Sequence, residues 1–418
     1  MEYYSFKKHI DKTEEGSYFK IQFEVPTGVK RIDLSYSYSS HQKGGLGDLK
    51  PKNTIDLGLA DEKGKFLGWS GSSKDHIYVG EAESESGYLI EKINPGKWSV
   101  IVGAYHVLDE GVDVNYNVKF TFEKNELLFG DLHVHSTASD GEYDRYTLAK
   151  RAKESGLDFI AFSDHNNYSE NFRQPFVPGI TVIPSVEWTH YKGHMNFFGV
   201  ENPFENSFIA NNENEKRKLL NSARDKGAVI SVNHPDCPFC PYLWDDEDYD
   251  MMEIWNGPMT KRNYKAIERW TNLLKAGRKI PAVGGSDFHK DKSFVLFAHP
   301  VTGVFSEGRT AKEIIDAIKN GRTFISSSVK GPRIYLASGS DFMGSVTKNK
   351  YFSVHCENSN GLYIKSVSDK GEKIISSGLK SFKCDRLITD EKFVYLKAVK
   401  PLAGKEIVRA VSNPIYFE

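Results

Sequence analysis

The side chains in this sequence that could do chemistry together are imidazoles and carboxylates. They lie in short, separated segments: Gly130-Asp131-Leu132-His133-Val134-His135 running on to Ser139-Asp140-Gly141, then Ser163-Asp164-His165, Glu187, Gly193-His194, Asn233-His234-Pro235 and Ser286-Asp287-Phe288-His289. Neutral imidazole nitrogen and carboxylate oxygen are ligands for zinc, manganese and iron. His133 and His135 stand at i and i+2, and an extended strand sends such a pair to one side, where both rings can reach one cation. Alone, the pair reads equally well as two polar residues on one face of a strand. Its weight comes from the company it keeps, because ligand-type residues recur after nearly every apolar stretch that follows.

Those stretches are the elements that must position the site. Apolar, β-rich runs near Leu127–Leu132, Phe159–Ser163, Thr181–Val186, Met195–Val200, Val229–Val232, Met251–Trp255 and Ile280–Val283 read as strands. Between several of them lie helical patterns that stop at glycine, such as Leu148, Ala152 and Gly156, or Leu219, Leu220, Ala223 and Gly227. Thr310 and Glu313 form a capping box ahead of Ile314, Ile315 and Ile318. Alternating strands and helices predict an α/β fold, a seven-stranded (β/α) barrel of TIM type over residues 125–330. The ligand-type residues close its strands, except His194, which opens one. In a parallel barrel such strand ends share one rim, where active sites are built.

The rest of the chain has a different texture. Residues 1–124 carry short alternating runs such as Tyr18-Phe19-Lys20-Ile21-Gln22-Phe23, with turns at Asp61-Glu62-Lys63-Gly64 and Asn94-Pro95-Gly96, and predict an accessory β-sandwich. After Gly331-Pro332 the strand-turn pattern returns, and residues 331–418 are expected to form a small C-terminal β domain.

The ordered motifs HxHSxxSDG, SDH, an isolated Glu, GHxxxxG, NHP and SDFH resemble the PHP superfamily, named for polymerase and histidinol phosphatase, over about residues 126–330. Gly193-His194-Met-Asn-Phe-Phe-Gly199, Trp255-Asn256-Gly257 and the terminal Arg409-Ala-Val-Ser-Asn-Pro-Ile-Tyr416 are similar to the CehA/McbA branch, known for carbaryl hydrolases. The resemblance implies a distorted seven-stranded barrel holding two or three divalent metals, Mn, Zn or Fe. It implies that His133, His135, Glu187 and Asp287 hold a first metal and that Glu187 bridges to a second on His194 and His234. Asp140, His165 and His289 would hold a third. A hydroxide shared by two cations would then be the nucleophile on a small-molecule phosphoester, with Glu187, Asp287 and His289 in the catalytic set and Asp164 orienting its neighbours. The branch resemblance implies a carbamate or carboxylic ester as the alternative substrate.

Other residues carry weaker signals. Lys290, Arg145, Lys261, Arg262 and His299 could bind an anion or donate a proton, although solvated surface is the ordinary reading of each. Cys237-Pro-Phe-Cys240 has metal or redox spacing without a second CxxC or a thioredoxin context. Tyr242, Trp244 and Trp255 could wall an aromatic substrate or simply pack. A binding-module reading has the flanking β domains recognise a glycan or a protein, with Tyr36, Tyr38 and Trp69 lining a glycan site in the sandwich and the barrel as a vestigial scaffold.

Composition bounds these options. Over 418 residues, 55 basic and 56 acidic side chains leave a formal charge of -1, which provides no field for nucleic acid or an anionic membrane. The expected partner is a small, phosphorylated molecule. Four cysteines are too few for a secreted disulfide framework, and neither a signal-type leader nor a membrane-length apolar run is present, so a cytoplasmic setting is expected.

Overall fold

The computed structural model describes residues 3–26, 28–39, 53–80, 83–122, 126–245 and 249–418. They fall into two compact units, residues 1–124 and 125–418. The junction at 123–125 lies outside the described residues.

The first unit contains strands β1 (Tyr3–Ile10), β2 (Tyr18–Val25), β3 (Val29–Tyr38), β4 (Thr54–Ala60), β5 (Phe66–Gly71), β6 (His76–Gly80), β7 (Gly96–His106) and β8 (Val112–Phe122). They form two antiparallel sheets in the orders β1-β8-β3-β6 and β2-β7-β4-β5. Alternation along the strands sends Ile32, Leu34, Leu57, Leu59, Trp98, Val100 and Tyr116 into one shared core, which makes the unit a β-sandwich. Tyr36 belongs to that core and donates its hydroxyl to the Ile55 carbonyl, while the Tyr38 hydroxyl accepts from Ile55 N. Trp69 lies edge-on to Tyr18. Tyr36 and Tyr38 are thus engaged in packing and backbone pairing, not displayed as a glycan platform.

In the second unit, β9 (Glu126–Val134), α1 (Arg145–Glu154), β10 (Phe159–Phe162), β11 (Thr181–Ile183), β12 (Ser185–His190), β13 (Gly193–Phe198), α2 (Glu213–Asp225), β14 (Val229–Asn233), β15 (Met251–Asn256), α3 (Lys261–Lys275), β16 (Ala282–Gly285), β17 (Val301–Ser306), α4 (Ala311–Lys319) and β18 (Thr323–Ser326) follow in turn. Asp144, Asn212 and Thr310 cap α1, α2 and α4, and the Thr310–Glu313 box forms in both directions.

These strands do not close as one parallel TIM-type ladder among the described residues. β9, β10 and β11 pair in parallel in one sheet, and β12 to β16 make a second. Pro184 separates β11 from β12: with no N–H to give the ladder, it marks where the chain leaves one sheet for the other. The connection Tyr191-Lys192 is too short for a crossover, so β13 must run antiparallel to β12 and then to β14. The two sheets touch through single bridges, Val134 with Phe288 and His165 with Glu187. Gly285 permits the first approach, since a Cβ there would stand 2.5 Å from the Cβ of His133.

The domain boundary expected at 330 is crossed by the first sheet. The remaining strands are β19 (Arg333–Ser338), β20 (Asp341–Phe342), β21 (Val346–Thr347), β22 (Tyr351–Glu357), β23 (Tyr363–Ser368), β24 (Gly371–Ser377), β25 (Phe382–Ile388), β26 (Phe393–Leu402), β27 (Lys405–Ser412) and β28 (Ile415–Phe417). β27 pairs with β18, so the sheet runs on without a break from β9 through β17, β18, β27 and β26. Buried Asn413 locks the junction, accepting from Ala282 N and donating to the carbonyl of Ala282 and the hydroxyl of Thr323. Among the described residues no helix is long and apolar enough to cross a membrane.

Candidate metal centre

The ligand-type residues converge where the strands of the two sheets end. His133 and His135 leave the end of β9, His165 follows β10, Glu187 sits in β12, His234 follows β14, and Asp287 and His289 follow β16. His194 opens its strand yet reaches the same place, because antiparallel β13 sets it opposite Thr189 on one side and Asn233 on the other.

Glu187 is the hub, and it is fully buried. Its Oε1 lies 3.3 Å from His133 Nε2, 3.2 Å from His194 Nδ1 and 3.3 Å from His234 Nε2. Its Oε2 lies 2.8 Å from His165 Nδ1 and 3.6 Å from His135 Nε2. Asp287 Oδ1 stands 3.5 Å from His133 Nε2 and 3.2 Å from His135 Nε2, and those two nitrogens are 3.1 Å apart. Nearer the surface, Asp140 Oδ1 lies 3.3 Å from His289 Nε2 and 3.6 Å from His165 Nε2. Atoms held at about 2.0–2.2 Å from a common cation stand roughly 3.0–3.6 Å from one another, so this spacing suits shared metals. One buried atom of the cluster, His135 Nδ1, makes no hydrogen bond. A buried polar atom left without one is costly, and a cation would satisfy it. The donor set therefore fits divalent metals.

Electrostatics agree with that fit. Burial alone would raise the carboxyls of Glu187 and Asp287, but His133 and its neighbours hold both well below the ordinary carboxylate range. The hydrogen bond to His289 leads the effects that bring Asp140 down to about 2. Ionised carboxylates in this number repel each other unless cations stand among them.

Support comes from Glu253, which lies outside every motif, and from Asn233 and Asp131, which lie inside them without a ligand role. Glu253 on β15 places Oε1 3.0 Å from His133 Nδ1 and accepts with Oε2 from His234 N and Asn256 Nδ2. A carboxylate on the far nitrogen of a histidine fixes the ring and raises its basicity. The available signal was one acid inside the apolar run Met251–Trp255. Asn233 donates to Glu187 Oε1 at 2.8 Å. Asp131 accepts from the backbone of His133, Ser286 and Ala298, tying the end of β9 to the loop after β16, and burial pushes its carboxyl up to about 6. His234 and Asp287 both adopt left-handed backbone, with φ of 29° and 55°. Such strain in residues other than glycine persists where surrounding structure enforces it, often at functional sites.

Several expectations change. Asp164 is placed to orient its neighbours and not to meet a substrate: its oxygens accept from Ser136 N, the hydroxyls of Ser136 and Ser139, and the guanidinium of Arg145. It braces the loop after His135. Arg145 is buried in that pair and also donates to Asn171, so it is not an open anion site. Arg262 donates to Asn256, and among the described residues no hydrogen bond or ion pair links Lys290, Lys261 or His299 to the cluster. Tyr242, Trp244 and Trp255 are buried in the core. Cys237 and Cys240 are free thiols 3.0 Å apart, and Cys240 Sγ is 3.6 Å from His234 Nδ1. The loop thus rests against a cluster histidine.

Residues 131–225 match the PHP domain family model. A 3',5'-nucleoside bisphosphate phosphatase from Chromobacterium violaceum is 27% identical over 271 residues, covering 57% of this chain and 86% of that protein. Among solved structures, a two-domain protein from Bacteroides vulgatus containing a predicted PHP-like metal-dependent phosphoesterase is 18% identical with a TM-score of 0.41, over 69% of this chain and 95% of that one. An amidohydrolase from Chromobacterium violaceum, with bound sulfate and no metal, is 15% identical with a TM-score of 0.29, over 40% of this chain and 89% of that one. TM-scores below 0.5 carry no weight of their own. The family match covers the segment that contributes His133, His135, Asp140, His165, Glu187 and His194, so the chain contains a PHP domain, and this match together with the phosphatase relative supports a metal-dependent hydrolase.

Proposed function

We propose that this chain hydrolyses a phosphoester of a small molecule, with His133, His135, Glu187 and Asp287 holding one divalent cation, Glu187, His194 and His234 a second, and Asp140, His165 and His289 a third. The carrying observation is Glu187, whose two oxygens face imidazoles from five positions at 2.8–3.6 Å. When bound, such cations supply an acidified water and neutralise charge on phosphoryl oxygens. The protein's own part is to hold that geometry. Glu253, Asn233 and Asp131 fix the buried ligands before substrate arrives, so little reorganisation remains for the reaction. Asp287 is the carboxylate of the buried set that reaches solvent, its side chain 20% exposed, and can accept a hydrogen bond from an attacking water and so orient it. His289 and His165, each 28% exposed, form the solvent-facing side of the cluster with Asp140.

Phosphoester chemistry is favoured over the carbamate or carboxylic ester reading by the named activity of the Chromobacterium relative. The deciding experiment is elemental analysis of the purified protein, followed by turnover of nitrophenyl phosphate, bis-nitrophenyl phosphate and naphthyl esters with Mn, Zn or Fe restored. Metal-dependent release from a phosphate ester is expected. Turnover of the carboxylic esters alone would overturn the reading.

A further inference from the structure

Beside the cluster lies a cleft of about 620 Å3, within the range of small-molecule sites. His194 forms part of its wall, as does Asn166, the neighbour of His165. Its other walls include Tyr191, Phe208, Ile209 and Phe239, whose exposures of 99%, 41%, 65% and 95% are high for large apolar side chains. Scattered apolar residues at a surface are ordinary, but several around one concavity that opens on a reactive centre are not. Among the described residues that line the cleft there is no Lys, Arg, Asp or Glu. The wall is also anchored, since Trp188 Nε1 donates to the Phe208 carbonyl at 2.7 Å and the Trp188 ring is buried.

We propose that this cleft receives the substrate's leaving group and selects a flat, uncharged aromatic one, a conclusion that rests on the phosphoester reading above. The shared residue His194 places the cleft next to the reacting phosphoryl group. Aromatic walls favour a planar ring through stacking and edge contacts. A second phosphate held within the cleft would find no lysine or arginine among the described lining residues and would lose hydration with little compensation. The preferred substrate is therefore an aryl-bearing monoester and not a bisphosphate.

The test compares kcat/KM for 2-naphthylmethyl phosphate and ethyl phosphate, both alkyl esters with similar leaving oxygens. Wild type should prefer the naphthyl ester by at least about tenfold, and Ile209→Asp or Phe239→Ala should lower that ratio about tenfold, the scale of lost apolar contact in a specificity pocket. Both residues are exposed, and metal content measured alongside confirms an intact centre. A wild-type ratio near one, or a ratio that neither variant moves, overturns the proposal. Should wild type hydrolyse neither ester, the phosphoester reading fails, and fluorescence-detected binding of 2-naphthylmethanol decides the cleft separately. Binding weakened about tenfold by Ile209→Asp sustains it; absence of binding ends it.

Discussion

The two halves of the metal centre are built in opposite ways. His133, His135 and Glu187 have side chains 0%, 0% and 1% exposed, and each buried group is held by another, through Glu253, Asn233 or the backbone. Asp140 is 59% exposed, and His165 and His289 are 28% exposed. Asp140 is placed by the turn that follows β9 and touches the cluster only through histidines. Burial makes each interaction strong and each loss costly, because an unpaired charge cannot turn to water. Exposure makes the rim adjustable, and a cation held there would keep coordination positions open for solvent or substrate. The buried half should decide whether the centre exists, and the rim how fast it works.

The harshest way to break this contrast is Glu187→Ala. One carboxylate faces five histidines, so its removal should abolish activity and release more than one metal equivalent, as read by elemental analysis. Loss of a single equivalent with activity kept would contradict the hub. Next is Asp164→Ala, which strands the buried Arg145 guanidinium. Removing one partner of such a pair costs about 3–5 kcal/mol, visible as a lower denaturation midpoint. Near-wild-type stability would show that Arg145 finds another partner or water. At the rim, Asp140→Asn should lose one metal equivalent and lower turnover about a hundredfold, while the other equivalents stay. The turn at Gly141 is closed by backbone, Gly141 N to Ser136 O at 3.0 Å, so a merely structural role for Asp140 is already supplied by other atoms. Unchanged metal content with near-normal turnover would exclude the third position.

The convergence of these side chains was legible in part because histidine and buried carboxylate are rare residue types placed against a regular background. His133 and His135 follow the period of a strand, and the apolar runs that became β9 to β16 stand out from their polar surroundings. What was not legible is how the strands meet. Pro184 and the short Tyr191-Lys192 link were both visible, and together they argue for a sheet change and an antiparallel β13, yet periodicity alone suggested a parallel barrel. Residues 331–418 resembled a domain because strand-turn texture reports local pairing and carries no record of β27 adding to β18. Glu253 was hidden because its partner lies 120 residues away. The cleft wall at Phe208 and Ile209 lies in a loop with no periodicity to mark it.

The subtlest test asks whether the buried half depends on its supports as strongly as its ligands depend on each other. Glu253→Gln keeps the size of the side chain and changes what it can accept. The carboxylate faces two donors, His133 Nδ1 with one oxygen and His234 N with the other, and it also takes Asn256 Nδ2. An amide offers one oxygen and one NH2, so one of those donors must face another donor. If the NH2 turns to His133, the ring loses the acceptor that fixes its tautomer, and its Nε2 becomes a poorer ligand. If it turns to His234 N, the strained residue at φ 29° loses the bond that restrains it. Either orientation weakens the centre without removing a ligand, and metal affinity should fall at least about tenfold, the lower end for loss of such an outer partner. Turnover at saturating metal should fall much less, since the cluster is restored once filled. A metal titration followed by kcat at saturation separates the two. Wild-type affinity would mean that Glu253 is a packing residue, and full affinity with lost turnover would move it from positioning into the reaction itself.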